Sequence, residues 1–460
     1  MGLKSITCFK AYDLRGRIPV ELNDDVAYRV ARGYAQFLAP KRIVVGRDIR
    51  LSSAGLADAV CRGLTDSGVD VDDIGVCGTE GVYFATFNDA TADGGIMVTA
   101  SHNPPDYNGM KFVRERSKPI SGDNGLQQIR EFAERGEFPA PARAGVRRRI
   151  DTMDAYAAHL LSYVDTTKLK PLKIVVNAGN GGAGLIIDEL EPKLPFKFVK
   201  VHHEPDGRFP NGIPNPMLEE NRAPTAEAIR RHGADFGIAW DGDFDRCFFF
   251  DEKGGFIEGY YIVGLLASVL LRGSPGGKVV HDPRLTWNTV EVVKASGGVP
   301  VLSKSGHAFI KERMREVDGV YGGEMSAHHY FRRFAYCDSG MIPWLIVAQI
   351  LSESGVALSE LVGERIGMFP VSGELNYRIP DAKAAIAAFE AHYAPQAMVV
   401  DRTDGVSFEF ADWRFNLRTS NTEPLIRLNV EARGSVDLMR ARTQELLAAL
   451  QAQGAVAADA

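Results

Sequence analysis

The sequence predicts an α/β fold, with three related α/β domains on mixed or parallel sheets followed by a smaller C-terminal α+β domain. Three observations carry this. Apolar, β-branched runs that end in polar loops recur at Ile43–Asp48, Lys173–Asn177 and Lys278–Arg284. Helical spacing follows each run, and strand–helix–strand alternation implies parallel sheets covered by helices. From residue 368 the texture changes to alternating apolar and polar positions, the pattern of antiparallel strands with one wet face.

The elements follow in chain order. Ile43–Asp48 reads as a buried strand, Ser53–Ser67 as a helix through Leu56, Val60 and Leu64, Val69–Cys77 as a strand and Gly95–Thr99 as another. Gly136–Arg149, rich in Pro, Ala and Arg, marks a boundary, and the first domain is drawn as 1–146. The second, 147–250, opens on strand Lys173–Asn177 and a Gly-rich loop. Helix Leu185–Leu190, strand Phe196–Val201, a Pro- and Asn-rich loop at 205–216 and strand Phe236–Trp240 follow. The third, 251–367, contains the strand at 278–284 and helix Asn288–Lys294. In the fourth, 368–460, strands at Val406–Phe410, Trp413–Leu417 and Leu425–Val430 lie between helices Ala382–Tyr393 and Val436–Gln451.

Composition narrows the class. A length of 460 residues suggests about three or four domains. A hydrophobic content of 45% and a charged content of 24% are those of an ordinary globular protein. A net charge of −6 argues against a broad nucleic-acid-binding face. Five scattered cysteines without a Cys-x-x-Cys pair fit a reducing compartment better than a disulfide framework or a zinc site. The longest apolar stretch, Tyr260–Leu271, is too short to cross a bilayer, and no apolar leader opens the chain, so the expected location is the cytoplasm.

Four loops carry chemistry. Thr99-Ala-Ser-His-Asn-Pro104 follows a short strand and could present Ser101 as a nucleophile, although such a sequence also suits a capped turn. Asp241-Gly-Asp243-Phe-Asp245-Arg246 gathers three carboxylates at a strand end, a hard-oxygen set suited to Mg²⁺. An EF-hand fails there because Arg246 replaces the required Gly. An aspartyl-phosphate enzyme using Asp241 or Asp243 would leave Ser101 idle. Gly322–His328 places Glu324 and Ser326, suited to sugar hydroxyls, beside His328, which can shuttle a proton. Arg418-Thr-Ser-Asn-Thr-Glu-Pro424 offers a forked cation and neutral donors, the inventory for holding a phosphate. A rival signal is Gly179-x-Gly181-x-x-Gly184 with Glu204 downstream, the dinucleotide-binding pattern, which supports an NAD-dependent oxidoreductase.

Taken together, these motifs resemble the α-D-phosphohexomutases, most closely the bacterial phosphomannomutase/phosphoglucomutase branch. The four loops occur in the family's order. Ala11–Gly16, Asp106–Lys111 and Gly306–Phe309 match as well, so the resemblance spans nearly the whole chain. It implies four domains around a central cleft, each giving one loop. It also implies an enzyme that interconverts hexose 1- and 6-phosphates of glucose or mannose, through a phosphoserine and a hexose 1,6-bisphosphate, with Mg²⁺ as cofactor.

Carried over by residue, the resemblance makes Ser101 the phosphorylated serine and a metal ligand together with Asp241, Asp243 and Asp245. Arg15, His102, Lys111, Arg246 and His328 become catalytic residues, with Lys111 and His328 the acid/base candidates. Tyr12, Arg284, His307, Glu324, Ser326, Arg418, Ser420, Asn421 and Thr422 become substrate contacts. Ala327 stands where Gly is usual, and Arg284 where Lys is frequent. Small hexose phosphates are the implied partners of a monomer, with neither nucleic acid nor membrane. A non-catalytic sugar-phosphate-binding protein would use many of the same residues.

Overall fold

The computed structural model describes residues 5–419 and 425–458. They divide into two compact units, one containing the residues up to Phe256 with Arg333–Gly355, the other Ile257–Arg332 with the residues from Val356 on.

The first unit holds two sheets. One contains β1 (Leu14–Arg17), β2 (Arg42–Arg47), β3 (Asp70–Val76), β4 (Gly94–Val98), β5 (Tyr107–Arg114) and β6 (Arg147–Arg149), in the order β1–β5–β4–β2–β3–β6, with the two residues Lys118–Pro119 added beside β5. The other contains β7 (Lys173–Asn177), β8 (Lys197–Val201), β9 (Phe236–Trp240) and β10 (Cys247–Phe250), in the order β10–β9–β7–β8. The second unit carries β11 (Lys278–His281), β12 (Val299–Leu302), β13 (Tyr321–Gly323) and β14 (His329–Phe331), in the order β14–β13–β11–β12.

One strand order therefore occurs three times: β5–β4–β2–β3, β10–β9–β7–β8 and β14–β13–β11–β12. The two inner pairs are parallel each time, and the outer partner returns antiparallel. The serine, aspartate and Glu324 loops each join the antiparallel pair at the same place. The parallel strands are β-branched because both of their faces are covered: Ile43, Val45, Ile174, Val175, Val279 and Val280 are all buried.

Two expectations are corrected. The stretch read as a boundary ends in a strand: Arg147–Arg149 pairs in parallel with β3, so the first sheet extends past residue 146. Exposed arginines conceal this strand because the ladder uses only its backbone. Its side chains meet β3 aspartates, with Arg147 2.6 Å from Asp73 and Arg148 2.9 Å from Asp72.

The second correction concerns the last sheet. It contains β15 (Leu375–Arg378), β16 (Val399–Asp401), β17 (Val406–Glu409), β18 (Trp413–Thr419), β19 (Ile426–Ala432) and β20 (Val456–Ala457), in the antiparallel order β16–β17–β18–β19–β15–β20. Helices Ala382–Tyr393 and Val436–Gln451 form as read, capped by Asp381 and Ser435. Phe389, Leu446 and Leu450 share a core with Phe408, Phe415 and Leu428. The opposite face is polar but not wet: Arg414, Asn416, Asn429 and Glu431 are buried. Arg414 lies 2.9 Å from Glu431 and donates to the carbonyls of Pro283 and Arg284, while Glu431 accepts from the Thr286 N–H at 2.8 Å. Alternation reports polarity and not solvent, and a paired polar face can be buried as completely as an apolar one.

Among the described residues no single helix is long and apolar enough to cross a membrane. The apolar run at 260–271 lies in the helix Gly259–Arg272, much of it buried.

Candidate active site

In the first unit, the loop after β4 holds Ser101 in a left-handed conformation, φ +50°. That region costs a residue with a Cβ about 1–3 kcal/mol and persists only where the surroundings impose it. The Thr99 hydroxyl accepts the Ser101 N–H at 2.9 Å. On the facing side Gly242 allows the aspartate loop to approach, since a Cβ there would lie 2.4 Å from the Ser101 carbonyl oxygen. The Ser101 hydroxyl then donates to Asp241 Oδ2 at 2.7 Å, with His102 Nδ1 3.0 Å away.

Cations surround this pair. Arg246 Nε lies 3.1 Å from Asp241, and Arg246 also donates to His102 Nδ1. Because guanidinium can only donate, Nδ1 accepts and the ring proton sits on Nε2. Burial, followed by the charge of Arg246, pushes His102 well below the usual imidazole value, so the ring is neutral. Arg15 is held by Asp13 at 2.8 Å and donates to the Asn103 side chain in the serine loop. Lys111, from β5, reaches Asp243 at 2.8 Å and Asp245 at 2.6 Å. Burial alone would lower its pKa, but the two carboxylates outweigh that and hold it above the usual lysine range. In this arrangement Lys111 carries its positive charge between the two carboxylates.

The aspartates fit a hard cation. One oxygen from each of Asp241, Asp243 and Asp245 lies within 4.8 Å of the others, and all three residues are buried. Asp241 Oδ1 and Asp243 Oδ1 are buried with no hydrogen-bond partner among the described residues. Lys111 and Arg246 offset two of the three charges and leave room for more positive charge. Burial, against the pull of Arg246 and with repulsion from Asp245 and Asp243, raises Asp241 to about 7.

The second unit assembles the other predicted residues it describes. Arg284 donates to Asp282 at 3.0 Å, Glu324 at 3.1 Å, Ser326 at 3.2 Å and Glu374 at 3.3 Å. The Gly306 N–H, just before His307, donates to Glu324 at 2.9 Å. His328 Nδ1 lies 3.3 Å from the Ser326 hydroxyl. Arg418 meets Glu374 at 3.1 Å, and Arg427 meets the other oxygen of Glu374 at 3.1 Å. Burial would raise Glu374, but Arg427, Arg418 and Arg284 hold it far below the usual carboxylate range. Ala327 has φ +67°, a conformation that suits the glycine usual at this position. Tyr12, half-buried, precedes β1 in the first unit. Ser420, Asn421 and Thr422 lie outside the described residues.

Two site neighbours escape sequence reasoning. The Thr79 hydroxyl donates to Asp243 at 2.6 Å and its N–H to the Asp243 carbonyl at 3.2 Å; its only signal is Gly-Thr at the end of a strand. Glu374 belongs to no motif.

The glycines of the dinucleotide-like turn are spent on protein packing. A Cβ at Gly179 would meet Pro214, one at Gly181 the Gly242 carbonyl, and one at Gly184 the His203 carbonyl. The turn is filled by the aspartate loop and its surroundings, which removes the main support for an oxidoreductase.

Next to Thr79, Glu80 is buried and accepts from the Gly340 N–H at 3.2 Å and the Ser339 hydroxyl at 2.5 Å. Burial raises its pKa from 4.5 to about 8. The folded state therefore holds a proton that the unfolded chain has lost, and stability falls as pH rises through that window. Glu80→Gln should gain in Tm relative to the natural protein from about pH 5 to pH 8 in thermal melts. A difference that stays flat with pH would mean that Glu80 does not titrate there.

Comparison with known proteins agrees with this geometry. The family profiles "Phosphoglucomutase/phosphomannomutase, alpha/beta/alpha domain I", "domain II" and "domain III" match residues 7–140, 154–255 and 258–369, and the family's C-terminal domain matches 374–449. The chain is 61% identical to a phosphomannomutase of Salmonella montevideo over 452 residues, covering 97% of this chain and 99% of that one. It is also 61% identical to a phosphohexose mutase of Xanthomonas campestris pv. campestris, covering 96% and 98%. A crystal structure of a phosphoglucomutase/phosphomannomutase family protein from Burkholderia thailandensis superposes with a TM-score of 0.89 at 32% identity, covering 100% and 99%. With all four domains matched in order, the chain belongs to the α-D-phosphohexomutases, in the bacterial phosphoglucomutase/phosphomannomutase branch.

Proposed function

We propose that this phosphohexomutase moves phosphate between O1 and O6 of glucose and mannose phosphates by way of phosphorylated Ser101 and a hexose 1,6-bisphosphate. The observation that carries it is the Ser101 hydroxyl, 2.7 Å from Asp241 at the rim of a buried three-carboxylate basin ringed by Lys111 and Arg246. The phosphoserine P–O bond breaks as the free hydroxyl of the sugar phosphate forms a new one and gives up its proton to His328, and Ser101 leaves as the alkoxide and takes up a proton in turn, so that one proton is lost and one gained. The bisphosphate turns over, and its other phosphoryl group returns to Ser101. Asp241, Asp243 and Asp245 would hold Mg²⁺, which when bound neutralises charge on the transferring group. Lys111 and Arg246 add fixed positive charge, and Arg15 steadies the serine loop through Asn103.

Glu324 and Ser326 are assigned to the sugar hydroxyls and His328 to proton transfer. Arg418, with Ser420, Asn421 and Thr422, is assigned to the phosphate that does not react. Tyr12, Arg284 and His307 complete the substrate contacts, Arg284 mainly by holding Asp282, Glu324 and Glu374. The domains are proposed as 1–146, 147–250, 251–367 and 368–460, a division supported by four matched segments that fall in the same order. The protein is read as a cytoplasmic monomer.

The test is a coupled assay with glucose 1-phosphate and mannose 1-phosphate, alongside intact-protein mass. Conversion to the 6-phosphates and a mass higher by one phosphate are expected. Binding of hexose phosphates without conversion would instead identify a sugar-phosphate-binding protein.

A further inference from the structure

Arg50 lies three residues beyond β2, outside every motif considered above, and its side chain is buried. It donates to four main-chain carbonyls between the serine loop and the start of β5: Ser101 at 2.9 Å, Asn103 at 2.6 Å, Pro104 at 2.7 Å and Tyr107 at 3.0 Å. These carbonyls bracket the stretch that holds Ser101 at φ +50°. The guanidinium lies over the Phe209 ring, 5.2 Å from its centre, and 3.5 Å from Asp48. Behind it the backbone of Arg50 bridges to Gly207, where a Cβ would stand 2.4 Å from the Ile49 carbonyl. The segment 205–216, read from sequence as a simple loop, thus closes the back of the serine loop.

A carbonyl-rich loop pulled into a left-handed turn needs donors on its inner side, and a planar five-donor fork can serve four acceptors at once. An ammonium has three donors on a single atom and cannot span the same set. The four hydrogen bonds all go to main-chain carbonyls. We propose that Arg50 is a positioning residue for phosphoryl transfer: it fixes the backbone that aims the Ser101 hydroxyl and takes no part in holding the sugar phosphate. This rests on the assignment of Ser101 as the phosphoryl carrier.

The test uses full-length Arg50→Lys and Arg50→Ala with folding checked by circular dichroism. Since a displacement of about 1 Å can cost ~100-fold in rate, kcat with glucose 1-phosphate should fall about that far in R50K, with KM inside roughly a threefold range. Added guanidinium at millimolar level should restore part of the kcat of R50A, and methylammonium should not. After incubation with glucose 1,6-bisphosphate, intact mass should show a smaller phosphorylated fraction in both variants. R50K with near-natural kcat, a loss confined to KM, or no folded R50K at all would overturn the proposal, the last by making Arg50 a stability residue. If the natural protein neither carries phosphate nor interconverts the sugars, the Ser101 assignment itself fails, an outcome distinct from an active natural protein with an unaffected R50K.

Discussion

Ser101→Ala is expected to lower mutase kcat by at least ~10³-fold, the scale on which removing a covalent carrier acts. The hydroxyl donates straight to the aspartate basin, 2.7 Å from Asp241. Its neighbour His102 is a neutral ring already engaged by Arg246 and cannot take its place. The variant should keep the fold, because alanine keeps the Cβ and loses only the hydroxyl. Substrate affinity, measured by calorimetry, should stay within a few-fold, and the intact mass should lack the phosphate. Full activity in this variant would sink the phosphoserine mechanism.

Glu374→Ala should give the largest loss of stability. Arg284, Arg418 and Arg427 share this one buried carboxylate, and its removal takes a common counter-charge from all three guanidinium groups. Breaking a buried pair by deleting one partner costs about 3–5 kcal/mol, which for a unit of this size is a drop of ~10 °C in melting temperature. The pH dependence has a definite sign. The carboxyl titrates at 4.5 in the unfolded chain and far lower in the folded one, so its contribution is complete above 4.5 and is lost as the pH falls through the folded value. The gap between the two proteins should hold steady above about pH 5 and narrow in stronger acid. KM for hexose phosphates should rise with it, because Arg284 and Arg418 lose a shared anchor. A melting temperature within about 2 °C of the natural protein would show that the arginines are held by other means.

The central strands and the serine, aspartate and Glu324 loops were legible in the sequence because each is a local pattern: a β-branched run, then a cluster of polar residues. Phe236–Trp240 and Asp241–Arg246 needed no knowledge of what packs around them. Arg50, Thr79 and Glu374 are different. Each acts across the fold, on a backbone, a carboxylate or a set of arginines far away in the chain, and a lone Arg, Thr or Glu carries no periodicity to announce that. The buried polar face of β18 and β19 was misread for the same reason, since Arg414 and Glu431 look solvated until their partners are known. Arg147–Arg149 carries no strand signal in the sequence because charge complementarity with Asp72 and Asp73, and not apolar burial, places it on its sheet.

The threefold recurrence of one strand order bears on how such a catalyst can arise. The serine, the aspartates and Glu324 occupy the same address in three copies of one scaffold, at the turn between the antiparallel pair. Duplication of a gene segment would leave that address intact while freeing each copy to change its turn. Division of labour then needs only three short stretches to diverge, with no re-routing of the chain. A left-handed residue in each turn, Ser101, Phe244 and Ala327, survives as a shared mark of that common plan.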